Sequence, residues 1–293
     1  MKCASVALIG RPSSGKSTLV NTICEMKVSI TASTPQTTRN AIRGIYTDSR
    51  GQLIFTDTPG FHLSDQKMNI RLTQTATSSL EECDIILYVV DPTRKGAQEE
   101  EAVEQILAKV KTPVITVLNK KDIASSLELE ESEQFVRAHL AHTTVLKASA
   151  QNDEGVDDIL ISLFALAPEG ELLYPEETRT DQSLDFRITE IIREKSINTV
   201  SDELPHAIYV ELADIENHEE DNTIWIRAFI VVEKESQKGI VVGHGGSNIK
   251  VIRQESFKEI KKIFPGKKLQ LDLRVKAQDK WRKNDMLLNK LLQ

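Results

Sequence analysis

Three short runs set out phosphate, metal and base chemistry in a fixed order along the first 122 residues. Gly10, Arg11, Pro12, Ser13, Ser14, Gly15, Lys16 and Ser17 fit G-x-x-x-x-G-K-[ST], and Thr18 follows. Between an apolar strand and a helix, such a loop turns its backbone N–H groups inward to wrap a β-phosphate. Lys16 then brings charge to the β- and γ-oxygens, and the Ser17 hydroxyl is a ligand for Mg²⁺. Asp57, Thr58, Pro59 and Gly60 close the run Leu53-Ile54-Phe55-Thr56, with Phe61 next. A carboxylate at a strand's C-terminal end reaches Mg²⁺, usually through water, and the Gly60 N–H can meet a γ-phosphate. Asn119, Lys120, Lys121 and Asp122 follow a third apolar run. The Asp122 carboxylate can accept from N1–H and the N2 amino group of guanine, a pair adenine lacks, at roughly 1.5–3 kcal/mol for each bond. The Lys120 stem can cover the purine face, and Asn119 can brace the phosphate loop. DTPG alone is a weak signal, and NKKD alone is most often a polar helix start. Their order after the first loop gives both their meaning, which is binding of GTP and GDP with Mg²⁺.

Two further positions rest on order. Ser149 and Ala150 fall where a backbone N–H would contact guanine O6. Thr37 and Thr38, in PQTTRN, lie between the first helix and the next strand. A threonine there can ligate Mg²⁺ while GTP is bound and let go after hydrolysis, with an exposed turn as the plain alternative. Thr38 is preferred over Thr37, and Lys16, Thr38 and Gly60 are the expected catalytic set.

These groups need a scaffold that delivers several loops to one edge. Apolar runs at residues 4–9, 53–56, 85–90, 113–118 and 144–147 read as strands covered on both faces. Helical stretches alternate with them at 16–24, 68–82, 97–108, 130–140 and 156–166. The implied fold is α/β, a doubly wound, mostly parallel sheet over residues 1–168. Residues 169–180, with proline, glycine and clustered acids, read as a linker. Residues 181–293 change pattern: helix 183–199, strands 207–215 and 223–233, helix 247–264, strand 269–276 and helix 279–292. That order, α-β-β-α-β-α, describes a smaller α+β domain.

The formal net charge of -7 conceals a gradient. Residues 1–180 carry -7, residues 181–237 carry -9, and residues 238–293 carry +9, with 14 Lys and Arg against 5 Asp and Glu. A basic last fifth suits a polyanion, although a plain basic surface helix pair accounts for charge equally well. Gly243, His244, Gly245 and Gly246 open this segment, just before a helical stretch. Such a turn lets a nucleic-acid backbone approach closely and offers N–H groups to phosphates. Lys238, Lys250 and Arg253 add charge, while Val242 and Ile249 can floor the bases. Trp225 reads as packing in a strand, and Trp281 as a residue able to stack on a base. Three cysteines without metal spacing fit reduced thiols in the cytoplasm, and no apolar run approaches the roughly 20 residues of a membrane span.

GRPSSGKSTLVN, PQTTR, DTPGF and NKKD together resemble Era-type GTPases, and the resemblance extends over the whole chain. It implies that residues 10–17 hold phosphates, Ser17 and Thr38 hold Mg²⁺, residues 33–40 form the first switch and Asp57 to Gly60 the second. Phe61 stands where many small GTPases carry a glutamine that orients water, and Era-like proteins are also hydrophobic there. Ser13 stands where relatives usually carry Asn, which supports potassium in several of them, and it offers a hydroxyl to the same end. The C-terminal part resembles a KH domain of the prokaryotic arrangement, with EIIREK at 190–195 similar to its first helix. The implied function is a slow GTP-hydrolysing switch that binds the 3′ end of small-subunit ribosomal RNA and assists maturation of the small ribosomal subunit. The implied protein is a cytoplasmic monomer, with peripheral contact to the inner membrane as a further expectation. Two rivals stand beside it: an RNA-binding module with incidental hydrolysis, and a membrane-associated GTPase.

Overall fold

The structure, a computed structural model, describes residues 1–31, 39–61, 80, 82–94, 98–200 and 204–291. The chain divides into two compact units, with the boundary between Asp181 and Gln182.

In the first unit the described elements run β1 (Lys2–Ile9), α1 (Lys16–Ile23), β2 (Ile42–Asp48), β3 (Gly51–Asp57), β4 (Ile85–Val90) and α2 (Gln98–Leu107). They continue with β5 (Val114–Leu118), α3 (Ser126–His139), β6 (Thr144–Lys147) and α4 (Val156–Leu166). One sheet takes the order β2-β3-β1-β4-β5-β6. All its pairings are parallel except β2 with β3. Every residue of β4 is buried, as a central strand with both faces covered requires. Because β1, β3, β5 and β6 run the same way, the loops after each of them share the C-terminal edge of the sheet, the usual ligand edge of open α/β folds.

Two features differ from the sequence expectation. β2 is an additional strand, joined to β3 by a tight turn at Ser49 and Arg50. α3 begins at Ser126, four residues early, because Ser125 and Glu128 close a capping box, with the Ser125 hydroxyl accepting from Glu128 N–H. The expected helix at 68–82 lies outside the described residues apart from Leu80 and Glu82, and residue 97 is outside them as well.

The stretch expected to be a linker is stitched to the first unit. Cys3 N–H donates to Pro168 O at 3.0 Å, Gly170 N–H to Met1 O at 2.9 Å and Ile45 N–H to Arg179 O at 2.8 Å. The buried Gln52 accepts from Leu173 and Tyr174 N–H, both at 3.0 Å, and donates to Tyr174 O at 2.9 Å. One amide side chain thus does the pairing work of a neighbouring strand.

The second unit contains α5 (Leu184–Thr199), β7 (Tyr209–His218), β8 (Thr223–Val232), α6 (Glu235–Val242), α7 (Ser247–Ile263), β9 (Lys268–Ala277) and α8 (Asp285–Leu291). Its sheet has the order β7-β8-β9, with β7 and β8 antiparallel and β8 and β9 parallel. The helices pack Ile188, Ile192, Val241, Ile252 and Ile260 against Ile226 and Ile230 of β8. α6 was not legible as a helix, so the order is α-β-β-α-α-β-α. Trp281 is a correction: it is 1% exposed, its Nε1–H donates to Ala207 O, and its ring meets Tyr209 edge-on. It has no face free for a base.

Candidate functional site

The phosphate loop leaves β1 with Gly10 at φ +154°, where a Cβ would come within 2.2 Å of Val89 O. Gly15 ends the loop at φ +98°, and a Cβ there would strike the Asn119 amide at 2.1 Å. Only glycine permits these approaches. Ser13 takes a left-handed φ of 63°, and Pro12 and Ser14 are buried. The Ser14 hydroxyl is buried with no hydrogen-bond partner among the described residues, a polar atom turned into the loop. α1 starts at Lys16 without a side-chain cap, so its first N–H groups face the loop, with Ser17 and Thr18 on that first turn. Lys16 curls back so that Nζ donates to Gly10 O at 3.0 Å and Arg11 O at 2.9 Å. Burial pulls its ammonium down to about 8, against the opposing pull of Asp57. Anionic oxygens beside it restore the charge.

Arg11 contributes backbone rather than charge to this loop. Its buried guanidinium turns away to Glu100 at 3.0 Å and Glu99 at 3.8 Å on α2. Arg94 then ties the same loop from outside, donating to Pro12 O at 3.1 Å.

Asp57 is fully buried at the end of β3, and its Oδ2 accepts from Ser29 Oγ at 2.6 Å. Ser29 is itself held by Asn21, whose Oδ1 accepts from Ser29 N–H and whose Nδ2 donates to Ser29 O. Neither was singled out from sequence, because both act across space. Thr58 donates to Leu8 O at 2.5 Å, and Phe61 N–H to Gly10 O at 3.1 Å. With the buried Pro59 these bonds lock the strand end to the phosphate loop. A Cβ on Gly60 would lie 2.6 Å from Pro12 Cα. Phe61 is 5% exposed and packs with Ile9, Leu80 and Tyr88, so only its backbone serves the site. Thr37 and Thr38 lie outside the described residues.

Asn119 joins the loop at residues 10–17 to residues 149–150. Its Nδ2 donates to Ser14 O at 2.9 Å, and its Oδ1 accepts from Ala150 N–H at 3.0 Å. Lys120, at φ +61°, extends to Asp91 with Nζ 2.6 Å from Oδ2. Asp91, another residue missed from sequence, fixes that aliphatic stem. Lys121 pairs with Glu154 at 3.3 Å, while Asp122 stands exposed on the turn. Ser149 N–H donates to Glu154 O, so the N–H groups of Ser149 and Ala150 both have protein acceptors.

In the second unit, residues 244–246 form a tight turn between α6 and α7. Gly243, Gly245 and Gly246 all have positive φ, at 76°, 57° and 81°. A Cβ on Gly243 would meet Ser247 Oγ at 2.6 Å, whereas one on Gly245 meets nothing within 4 Å and one on Gly246 only Ile249 at 3.9 Å. The 17-residue α7 starts at this turn without a side-chain cap. His244, Lys250 and Arg253 are exposed, Val242 and Ile249 half-buried, and Lys238 is paired with Glu235 at 2.7 Å.

Comparison with known proteins converges on the same two parts. A family model described as a 50S ribosome-binding GTPase matches residues 5–120, and a KH-domain model matches residues 203–282. GTPase Era of Treponema denticola is 45% identical over 293 residues, covering 99% of each chain. The chain belongs to the Era family of GTPases. Era of Borrelia hermsii is 44% identical over the full length of both chains. Two solved Era structures superpose with a TM-score of 0.93 at 30% identity, over 99% of this chain and 98% of theirs. One is an Aquifex aeolicus Era variant bound to GDP and aluminium fluoride, and the other a complex with MgGDPNP and nucleotides 1506–1542 of 16S ribosomal RNA.

Proposed function

We propose that the protein hydrolyses GTP as a switch that governs how its KH domain holds the 3′ end of small-subunit ribosomal RNA, in assistance to small-subunit maturation. The observation that carries the nucleotide half is the Asn119 side chain, bonded at once to Ser14 O and Ala150 N–H. It unites phosphate and base loops into one site with Lys16 and Asp57 buried beside it. Residues 10–18 would cradle the phosphates, Lys16 would hold charge at the β- and γ-oxygens, and the Lys120 stem would lie on the purine. Ser17 and Asp57 offer the oxygen donors that suit Mg²⁺, with Thr38 as the switch ligand. Bound there, the metal supplies positive charge to the phosphate oxygens. With Phe61 in the core, positioning and backbone donors carry catalysis, so unstimulated turnover is slow.

Support for the RNA half comes from the open, left-handed glycines at 245 and 246 next to the uncapped start of α7. The Era structure that holds 16S ribosomal RNA matches over 99% of this chain. We take the protein as a cytoplasmic monomer, consistent with unpaired Cys3, Cys24 and Cys83. Anionic lipid at the inner membrane is a further polyanion for the same cations, and vesicle flotation separates it from RNA. Potassium beside Ser13 belongs to the same proposal.

The test of the base reader is Asp122→Asn. An amide donates to the C2 oxygen of xanthine, so preference should move from GTP toward xanthosine triphosphate by tenfold or more, roughly 1.4 kcal/mol. Equal GTP affinity in variant and parent would falsify the assignment.

A further inference from the structure

α7 buries Ile252, Ser256 and Ile260 and turns its opposite side outward. Lys250, Arg253, Phe257 and Lys258 on that side, with Ile249, and Leu273 of β9, at the margin of the core, line an open groove of about 730 Å³. Its first residue, Ile249, lies beside the glycine turn, 3.9 Å from where a Cβ on Gly246 would stand, and its other α7 residues follow down the helix. Phe257, 37% exposed, is its aromatic member, ten residues from the helix start or about 15 Å at 1.5 Å per residue. Cations share the groove with the ring. Lys258 is paired with Glu255 at 2.6 Å, whereas Lys250 and Arg253 make no ion pair among the described residues.

A solvent-facing phenyl ring with two unpaired cations, Lys250 and Arg253, on the turns before it suits a particular occupant. An apolar helix of a protein partner would desolvate Lys250 and Arg253 without return. A single-stranded nucleic acid gives those cations phosphates and gives the ring a π-face. We propose that Phe257 is a stacking platform for one unpaired base of the strand engaged by residues 243–246, which extends the binding track along α7. This rests on the RNA reading of the glycine turn and adds to it a base contact beyond the turn. Stacking on a phenyl ring tolerates any base, so the platform would set the length of strand bound more than its sequence.

The experiment uses the full-length protein and single-stranded oligoribonucleotides from the 3′ end of small-subunit ribosomal RNA. Each position is replaced in turn by an abasic residue. The parent should lose affinity at the stacked position. Phe257→Ala should weaken the intact oligonucleotide by about fivefold or more and become insensitive to base removal at that one position. Phe257→Trp should restore the affinity and Phe257→Leu should not, because leucine fills space without a ring. The platform is overturned if Phe257→Ala binds within twofold of the parent, or if Leu restores as well as Trp. The joint change Gly245→Asp and Gly246→Asp is the control for the underlying reading. Should that variant bind RNA like the parent, the glycine-turn reading itself falls. Should it lose RNA while Phe257→Ala keeps it, the platform alone falls.

Discussion

At the scale of single residues, the potassium proposed beside Ser13 would meet a constrained backbone. The Ser13 φ of 63° lies in the left-handed region, which Asn tolerates better than Ser. Hydrolysis should run faster in potassium than in sodium, and Ser13→Asn should widen that ratio by at least twofold. Turnover that matches in the two salts for both proteins would remove the cation from Ser13. Residue identities in the nucleotide site were largely legible, because a phosphate loop and a guanine reader demand particular atoms in a particular order. Side-chain direction was not. Arg11 sits inside the motif yet points to Glu100, and Phe61 follows the switch glycine yet belongs to the core. Ser29 carries no motif, and its bond to Asp57 spans 28 positions that only folding brings together.

At the scale of elements, α2 and α3 enclose a carboxyl group that resists ionisation. Glu104 is 1% exposed, and burial together with Glu100 and Glu101 raises it to about 8. His139 Nδ1 faces it from α3 at 3.1 Å, and Tyr88 of β4 lies beneath, its own hydroxyl pushed well up by burial. Arg11 pairs with the neighbouring Glu100. The folded protein therefore keeps a proton that the unfolded chain releases near its ordinary value of 4.5. Stability falls as pH rises from there toward 8. Glu104→Gln should flatten this decline, as read from urea midpoints between pH 5 and 8. An unchanged slope would mean that Glu104 ionises normally. The long, apolar strands of the first unit were plain in the sequence, whereas short or interrupted elements of both units were not. β2 carries Gly44 and polar residues, and α6 has eight residues with Gly239 inside it, so neither sustains a clear period. The start of α3 was recoverable from Ser125 and Glu128, whose S-x-x-E spacing marks a capping box.

At the scale of the whole molecule, the tract of proline, glycine and acids before residue 182 finishes the first unit, which composition could not reveal. Gln52 is its anchor, and Gln52→Leu would strip partners from the backbone groups of Leu173 and Tyr174. The expected loss is roughly 2 kcal/mol in urea unfolding, with faster tryptic cleavage after Arg179. Parental stability and protection would show that the tract holds without that amide. The second unit closes differently. β7 and β8 meet across residues 219–222, but β9 lies parallel to β8 and must wait for all of α6 and α7 to pass between them. Hairpins zip in microseconds, while a distant parallel pairing first has to overcome the entropy of a large loop. During synthesis, the glycine turn and α7 therefore emerge before the strand that pins them. The surface proposed to face RNA sets only once β9 has paired with β8.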